Sequence, residues 1–501
     1  MNASQQQSLH TPDIANQRFR QAAFIFLVVA ISVGLFSGVR RALKARPDWD
    51  DLQNETRYVW ENKHSAPNSA MFGYLPTTTF ALWPFTTWLP TPIGATLFGL
   101  SNVACAIGSL WLLRKYWIPQ EVAVPAFAAA AALIAVNLAH AIQANQTTLW
   151  TLFFCVAGLT YAFGKRPFVG GLLVGLAALI KTMPLLLVGL LLLRGKWRSL
   201  AGFALALVLF DVVPSVAFFG VEGAIDEHRA WARRAGWHSN GHMIREPMLR
   251  VHRHGNNSAY AAVLTRWLRA PAPDNVTDQI IVYGDAPPAI LAGLEASRTA
   301  NEIITRDPMP ARDGGWTTKR VHVGWVPRWH LANLSAVSVW WMWATTVAAA
   351  LTSLMIITIL PRFRCAACWP AVASLWMLAM FWPSPMMRHY YLAWAAPAIV
   401  VVVAAVAKRW SEESISARLA SATSDFPGEE AVPIASRRSG GVPKISWLPA
   451  LAILMWIVGV MSIGWRTARW YGIHLAALAI LAAAVVWALQ RTRRQAPAIR
   501  E

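Results

Sequence analysis

The sequence predicts an all-α, polytopic integral membrane protein with about 12 transmembrane helices and two long extracytoplasmic segments, since each bilayer-crossing helix needs about 20 apolar residues. Composition supports this prediction: 56% of the 501 residues are hydrophobic and 14% are charged, whereas soluble proteins carry about 25% charged residues. The apolar residues form long unbroken runs, and Trp occurs 27 times. These features exclude a soluble enzyme, a coiled coil and a disordered chain.

Neither the excess of Lys and Arg nor the four cysteines point away from a membrane protein. A net charge of +20 would suggest nucleic-acid binding in a soluble chain. Here Lys and Arg cluster at the ends of apolar runs, where they set orientation, so we exclude nucleic acid as a partner.

Cys105 and Cys155 lie inside apolar runs, which argues against a disulfide framework. Cys365 and Cys368 form a lone CxxC without the second pair that a structural zinc site needs, so we expect this motif to be structurally incidental.

The apolar runs give the predicted spans. The first, 21–40, follows a polar N-terminus and lacks a small-residue cleavage site, which indicates an uncleaved span. The stretch 168–193 is interrupted at Lys181-Thr-Met-Pro184, and proline breaks or kinks a helix, so we predict two short helices there. The other predicted spans are 93–113, 121–141, 147–164, 199–219, 333–360, 369–385, 387–407, 446–464 and 470–489.

Short loops rich in Lys and Arg remain cytoplasmic and therefore predict the orientation. If 168–193 forms a hairpin and both termini are cytoplasmic, all the basic loops fall on one side. These loops are Arg114-Lys115, Lys165-Arg166, Arg194–Arg198, Arg362/Arg364, Lys408-Arg409 and Arg491–Arg494. One cluster opposes this majority, because Arg40, Arg41, Lys44 and Arg46 then lie outside, just after the first span.

This topology divides the chain into three regions. Residues 1–407 form a transmembrane core whose long outer segments are 41–92 and 220–332. Residues 408–445 form a cytoplasmic linker, and 446–501 form a C-terminal transmembrane hairpin with a basic tail. No fixed-period repeat is evident, nor are the inverted repeats of many transporters. Chemistry is expected in the outer segments, because loops rather than packed spans usually carry function.

Three carboxylates, Asp48, Asp50 and Asp51, follow the first span. A carboxylate at the membrane surface can act as a general base toward a sugar hydroxyl. The same residues also suit the start of a helix, where Asp caps free N–H groups and complements the helix dipole. Both interpretations stay open on spacing alone.

Lys181 is the most informative single residue. A cation inside an apolar stretch usually faces a cavity, pairs with an acid or binds an anion. Beside Pro184, unwound backbone and the ammonium charge would suit a phosphate group, although a snorkelling lysine is the alternative. Arg388 and His389 lie at a second break in an apolar run near the outer face and are candidates for the same reason.

Other polar residues are candidates for sugar binding or metal binding. Gln146 follows Asn145 in a short outer turn. The side-chain amides there either bind a sugar or hydrogen-bond the backbone groups of the turn. The second outer segment contains Asn256, Asn257 and Arg266. Its histidine pairs, His238/His242 and His252/His254, lack the companion carboxylate of a zinc hydrolase, so we predict no metal. The aromatic stretch from Tyr74 to Pro84 suits a helix in the interface, either as one wall of a lipid-facing groove or as an anchor.

Several of these segments together resemble glycosyltransferase family 87, whose members are polytopic enzymes of the GT-C fold. Gly171–Pro184, GLLVGLAALIKTMP, is similar to the family's glycine-spaced helix ending in Lys-x-x-Pro. The similarity follows the family's order over roughly 40–407. Further matching segments are Tyr74-Leu-Pro76 with Pro84 (Leu75 replaces a proline), Asn145-Gln146, Gly255–Ser258 with Arg266, and Ser384-Pro385 with His389-Tyr390.

The resemblance implies an inverting hexosyltransferase that moves mannose, or another sugar, from a polyprenyl-phosphate carrier to a lipid or glycan acceptor. It places the active site on the outer face of a multi-pass protein, by default in a bacterial inner (plasma) membrane. Asp48 best fits the family's general base, with Asp50 and Asp51 as alternatives. The implied donor-phosphate ligands are Lys181, Arg388, His389 and Arg266, and the implied sugar or acceptor ligands are Gln146, Asn256, Asn257 and Tyr74.

No metal or other cofactor is expected, because a lipid phosphate is already a good leaving group when cations neutralise its charge. The main alternative is a transporter or lipid-linked-sugar flippase, which would share the broken helices and intramembrane cations. Long outer segments, and charges at the outer interface rather than the midplane, favour the enzyme. A third possibility is an oligosaccharide ligase or a protein O-glycosyltransferase. It would use the same reaction logic as the proposed hexosyltransferase and would differ from it in the acceptor.

Overall fold

The computed structural model describes residues 11–44, 49–64, 75–234, 260–268, 302–304, 309–310, 316–317, 320–322, 331–384, 389–424, 447–462 and 472–495. This part of the chain is mainly helical. Its α-helices are α1 Thr11–Leu43, α2 Trp49–Asn62, α3 Thr78–Trp83, α4 Thr91–Leu112, α5 Ala123–Gln143, α6 Thr148–Phe163, α7 Pro167–Ile180, α8 Leu186–Leu193, α9 Trp197–Leu207, α10 Val213–Arg234, α11 Tyr260–Leu268, α12 Ala336–Ile359, α13 Trp369–Ala379, α14 Ala396–Ser424, α15 Trp447–Met461 and α16 Ile473–Gln495.

The prediction of a polytopic helical membrane protein is confirmed. Among the described residues, seven helices are long and apolar enough to cross a membrane: Gln17–Leu43, Thr91–Trp117, Val124–Gln143, Trp197–Ala232, Val337–Ile359, His389–Glu412 and Ile473–Arg493. Shorter apolar helices of 10–17 residues are Thr148–Phe163, Pro167–Ile180, Met183–Leu193, Trp369–Ala379 and Trp447–Met461. The predicted span 199–219 ends where α10 kinks, at Gly220, whose φ of 75° is a conformation that favours glycine.

Short strands supplement the helices in the second outer segment. The strand β1 (Glu302–Ile304) pairs antiparallel with β4 (Arg320–His322). The strand β2 (Met309–Pro310) pairs antiparallel with β3 (Trp316–Thr317). These ladders lie outside the helical spans and leave the all-α character of the transmembrane part unchanged.

The break predicted at Lys181 is present. Helix α7 ends at Ile180, and Lys181 has an extended backbone with φ −143° and ψ 135°. A 3₁₀ turn at Met183–Leu185 then leads directly into α8. Pro184 cannot donate a backbone hydrogen bond, so a continuous α-helix through this point would lose part of its ladder.

Glycines determine how α7 packs. A Cβ on Gly170 would lie 2.2 Å from the backbone nitrogen of Ala162 on α6. A Cβ on Gly171 would lie 1.7 Å from the carbonyl oxygen of Ser199, and one on Gly175 would lie 3.1 Å from that of Phe203. Only small residues allow such close approach between membrane helices.

The same contacts give the direction of the helices. Gly171 faces Ser199 and Gly175 faces Phe203, so residue number increases in the same direction along α7 and α9. The two helices are therefore parallel and begin at the same end of the bundle. The chain between them must run back through α8, which is the hairpin predicted for 168–193.

The basic clusters that predicted the orientation lie together at this end, here called the basic end. The Lys196 ammonium is 5.1 Å from the Phe163 ring, and the Arg194 guanidinium donates to the carbonyl of Phe363 at 2.8 Å. The Trp369 ring packs against both Phe163 and Trp117, which follows Arg114-Lys115. On the C-terminal side, Arg491 pairs with Glu412 at 3.0 Å, close to Lys408-Arg409. That the basic end is cytoplasmic remains a prediction.

Helix α1 runs from the basic end to the opposite end, here called the outer end. It packs parallel to α5, because Gly34 lies against Ala139 and Gly38 against Ile142. Its last turn carries Arg40 and Arg41. The cluster that opposed the orientation rule therefore lies at the outer end, away from the other basic loops.

One local linkage differs from expectation. We expected the lone CxxC to be structurally incidental, and the structure joins Cys365 to Cys368 by a disulfide, with Cα atoms 5.3 Å apart. The pair closes a turn between α12 and α13 at the basic end. Spacing alone did not reveal this pairing, because a CxxC serves metal binding, redox exchange and simple turns alike.

Candidate functional site

Lys181 is a buried cation at the outer end of the bundle. Its residue surface is 5% exposed, so it does not snorkel toward solvent. Its ammonium lies 4.0 Å from the centroid of the Tyr391 ring and 5.7 Å from that of Trp394, and these two rings stack on each other. Such cation–π contacts stabilise a charge removed from water. The Thr148 hydroxyl lies 3.4 Å from the same ammonium.

The aromatic wall beside Lys181 belongs to the second predicted break. A 3₁₀ segment, His389–Ala395, precedes α14 and carries both Tyr391 and Trp394. The Trp394 indole donates to the carbonyl of Thr148 at 3.0 Å and fixes this segment on α6. His389 begins the same segment, so the structure places two predicted donor-phosphate residues, Lys181 and His389, on contacting elements. Arg388 lies outside the described residues.

Two threonines of the first outer segment cover the break. The Thr78 hydroxyl donates to the carbonyl of Leu179 at 3.0 Å, within the last turn of α7. The neighbouring Thr77 donates to the Asp211 carboxylate at 2.8 Å, in the π-helical turn Val208–Val212 between α9 and α10. Because adjacent Cα atoms are about 3.8 Å apart, these bonds hold the end of α7 and Asp211 close together.

Asp211 and His228 form a pair that sequence reasoning missed. Asp211 is 8% exposed, and its carboxylate lies 3.0 Å from Nε2 of His228, while Nδ1 of His228 lies 2.7 Å from the carbonyl of Ala224. Both ring nitrogens therefore face acceptors, an arrangement that an imidazolium satisfies with both N–H groups. A carboxylate inside the run 199–219 is costly and thus functional by default, and this signal could have identified Asp211 from the sequence.

The turn between α5 and α6 offers amides to the same end of the bundle. Asn145 is 2% exposed and adopts a left-handed conformation with φ 50°, which Asn tolerates better than most residues. Its side-chain oxygen accepts no hydrogen bond within the described part of the chain. Gln146 is 7% exposed. A buried acceptor without a donor suits a ligand hydroxyl group.

An apolar cavity of about 370 Å³ adjoins the threonine segment. Helices α2, α3 and α10 form it, and the rings of Trp60 and Trp83 stack with centroids 4.3 Å apart. The Lys63 ammonium lies 3.6 Å from the centroid of the Phe218 ring. The lining residues are Trp60, Phe80, Trp83, Pro214, Ala217 and Phe218. The stretch predicted as one wall of a groove, 74–84, contributes two of these rings.

The first outer segment places its acidic residues at the start of α2. This helix begins at Trp49, immediately after Asp48, and its first turn includes Asp50 and Asp51. Trp49 and Leu52 anchor that turn in a small apolar core with Ala42, Leu82, Ala95 and Phe98. Asp48, and the side chains of Asp50 and Asp51, lie outside the described residues. So do Tyr74, Asn256 and Asn257.

Arg266 is buried elsewhere. It is 4% exposed on α11, and burial lowers the pKa of its guanidinium to about 9. The described contacts of α11 are mainly with α12. The structure therefore places Lys181 and His389 on contacting elements and Arg266 on a different element.

No group of three or more His, Cys, Asp or Glu residues that could hold a metal occurs in the described ranges. The histidine pairs at 238/242 and 252/254 lie outside those ranges. Because these histidines are not described, the metal independence of the protein stays a prediction.

The family model of glycosyltransferase family 87 matches residues 72–296. The family 87 region includes the threonine segment, the Lys181 break, and Asp211 with His228. With the apolar helices described above, this identifies the chain as a membrane glycosyltransferase and an integral membrane protein.

The protein is similar to one solved structure, the crystal structure of ArnT from Cupriavidus metallidurans in the apo state, at 16% sequence identity and a TM-score of 0.34. The similarity covers 94% of this chain and 76% of that chain. No curated protein matches the chain.

Proposed function

We propose that this membrane glycosyltransferase transfers a hexose, mannose, from a polyprenyl-phosphate carrier to a lipid or glycan acceptor on the outer membrane face, with inversion at the anomeric carbon. The observation that supports this most strongly is the buried Lys181 at a helix break. A polyprenyl-phosphate sugar carries its negative charge between an apolar chain and a polar sugar. The apolar cavity would hold the prenyl chain, the Lys181 ammonium would face the phosphate, and the turn with buried amides would face the sugar.

The proposed donor-phosphate ligands are Lys181 and His389, together with Arg388 and Arg266. Charge builds up on the phosphate oxygen as the bond from the anomeric carbon breaks. Fixed cations in a site that excludes water stabilise this charge better than solvent does. With such cations in place, the reaction needs no metal.

The proposed general base is Asp48, with Asp50 and Asp51 as alternatives. The carboxylate accepts the proton of the acceptor hydroxyl while that oxygen bonds to the anomeric carbon. The bond between the anomeric carbon and the phosphate oxygen breaks in the same step, and its electron pair remains on the phosphate. Attack from the face opposite the phosphate inverts the configuration.

The proposed path of the prenyl chain is the aromatic cavity formed by α2, α3 and α10. This cavity is joined to the Lys181 break by Thr77 and Thr78, which contact Asp211 and Leu179. Gln146 and Asn145 are proposed to contact sugar hydroxyls, together with Asn256, Asn257 and Tyr74. The proposed outer location rests on the separation of this site from the basic end, which we assign to the cytoplasm.

A transfer assay tests the proposed function. Purified full-length protein in nanodiscs receives radiolabelled polyprenyl-phosphate mannose and a membrane lipid extract, with and without a chelator. We expect label to appear in a new glycolipid at the same rate in both conditions. Chelator-sensitive transfer would overturn metal independence. Donor crossing the bilayer of reconstituted vesicles without any transfer would favour the flippase.

A further inference from the structure

A second cationic cavity lies at the outer end of α1. Its volume is about 410 Å³, and it is lined by Ser37, Arg40 and Arg41 of α1, by Lys44 in the turn after α1, and by Gln143 of α5. Ser37, Arg40 and Arg41 follow the spacing i, i+3, i+4, which places them on one face of α1, and Lys44 follows directly after the helix. We call these five residues the α1 basic cavity.

The charges of the α1 basic cavity are not explained by folding or by topology. In the described part of the chain, no carboxylate forms an ion pair with Arg40, Arg41 or Lys44. Cations on the outer side also work against the orientation that the other basic loops favour. Three cations converging on a cavity at a membrane interface are the pattern expected of an anion site.

The uncharged side of the cavity is held by hydrogen bonds. The Gln143 amide nitrogen donates to the Ser37 hydroxyl oxygen at 2.8 Å. The Ser37 hydroxyl therefore retains its own proton for donation to a ligand. Nδ1 of His140 lies 3.2 Å from the Gln143 side-chain oxygen, which can only accept, so Nδ1 donates. The His140 ring in turn contacts the His389 ring, with centroids 5.1 Å apart.

The surface below the cavity indicates where the ligand's apolar part lies. Val33 and Phe36 are one turn before Ser37 and Arg40 on the same face of α1, and they are 60% and 72% exposed. An acyl chain can lie against them while its phosphate enters the cavity. A free phosphate ion would make no use of this apolar surface.

We propose that the α1 basic cavity binds the headgroup phosphate of an anionic diacyl phospholipid. Arg40, Arg41 and Lys44 bind the phosphate oxygens, and the Ser37 hydroxyl donates to one of them. The residues of this lipid site differ from those of the Lys181 donor site, and the proposal does not depend on the proposed transfer reaction.

Lipid titration of the full-length protein in neutral detergent tests the proposal. The probes are dioctanoyl-phosphatidylglycerol, its zwitterionic counterpart dioctanoyl-phosphatidylcholine, inorganic phosphate and geranyl phosphate. We expect saturable binding of the phosphatidylglycerol only, weakened about fivefold for each cation removed in Arg40→Ala, Arg41→Ala and Lys44→Ala variants. The charge-preserving variant Arg40→Lys/Arg41→Lys should retain binding, and so excludes a general folding defect.

The matched control is Arg114→Ala/Lys115→Ala, which removes a basic pair at the basic end. Equal loss of binding in this control would overturn the proposal, as would equal binding of phosphatidylcholine. Inorganic phosphate binding as tightly as phosphatidylglycerol would assign the cavity to a free anion. Displacement of phosphatidylglycerol by geranyl phosphate would assign it to the prenyl donor.

Discussion

The hydroxyl of Thr77 donates a 2.8 Å hydrogen bond to the carboxylate of Asp211, although the two residues are 134 positions apart in the chain. Asp211 also binds His228, and Thr78 binds the last turn of α7. One short outer segment thus connects the break at Lys181 with the π-helical turn between α9 and α10. The packing of α7 beside α9 places both at the same level of the bundle.

Removing the Thr77 hydroxyl should loosen this connection. Thr77→Val keeps the shape of the side chain but takes one donor from a buried carboxylate, which costs about 1–3 kcal/mol. We expect a lower apparent Tm in detergent together with reduced transfer. Thr87→Val is the matched control, because among the described residues the Thr87 hydroxyl makes one hydrogen-bond contact, at 3.5 Å with the Thr86 hydroxyl. Identical effects of the two variants would contradict a special role for Thr77.

The Asp211–His228 pair should behave as one coupled unit. Asp211→Asn and His228→Asn should each lower stability, because each leaves the other partner without its opposite charge. The double variant should lose less than the sum, with a coupling of about 1–3 kcal/mol in a double-mutant cycle. Additive losses, measured by chemical unfolding in detergent, would show that the 3.0 Å contact contributes nothing specific.

Lys181 should control donor affinity. Lys181→Met keeps an extended apolar side chain and removes the charge, so we expect donor binding to weaken about 10- to 100-fold, as for a lost charged hydrogen bond. Acceptor KM should change little. Lys115→Met is the control, since its ammonium lies 4.8 Å from the Trp111 ring at the basic end. Equal losses in donor and acceptor binding would argue against a phosphate contact.

Glycine at 171 should be required for assembly of the bundle. A Cβ at this position would lie 1.7 Å from the carbonyl oxygen of Ser199, and the backbone of α9 cannot yield as a side chain can. Gly171→Ala should therefore cost about 1–3 kcal/mol through overpacking, and Gly171→Leu more. Val169→Ala, on an exposed part of the same helix, is the control. A thermal scan in detergent in which Gly171→Leu matches wild type would contradict this packing.

The sequence predicted most of the helical organisation. Apolar run length located the long spans, and Pro184 located the break between α7 and α8, because both signals are local properties of the chain. The basic loops were predicted to share one side. The contact of Arg194 with the carbonyl of Phe363 joins two of them, and the cytoplasmic location of that side stays a prediction. Similarity to glycosyltransferase family 87 was also confirmed, over residues 72–296.

The contacts of the site were harder to predict, because they join residues far apart in the chain. Lys181 was recognisable as an intramembrane cation, but its aromatic partners Tyr391 and Trp394 come from another break more than 200 positions later. Asp211 was overlooked inside a run interpreted only as a span. The cations at the end of α1 were treated as a topological anomaly, since only the fold places Gln143 opposite them.

The central claim is base-assisted transfer of a sugar from a lipid phosphate. The most direct measurement is the rate of mannose transfer from polyprenyl-phosphate mannose by wild type and Asp48→Asn, with donor binding measured in parallel. Asp50→Asn and Asp51→Asn are the matched neighbours. We expect Asp48→Asn to abolish transfer while binding the donor normally. Normal turnover by Asp48→Asn would contradict its assignment as the base, and normal turnover by all three variants would contradict the mechanism.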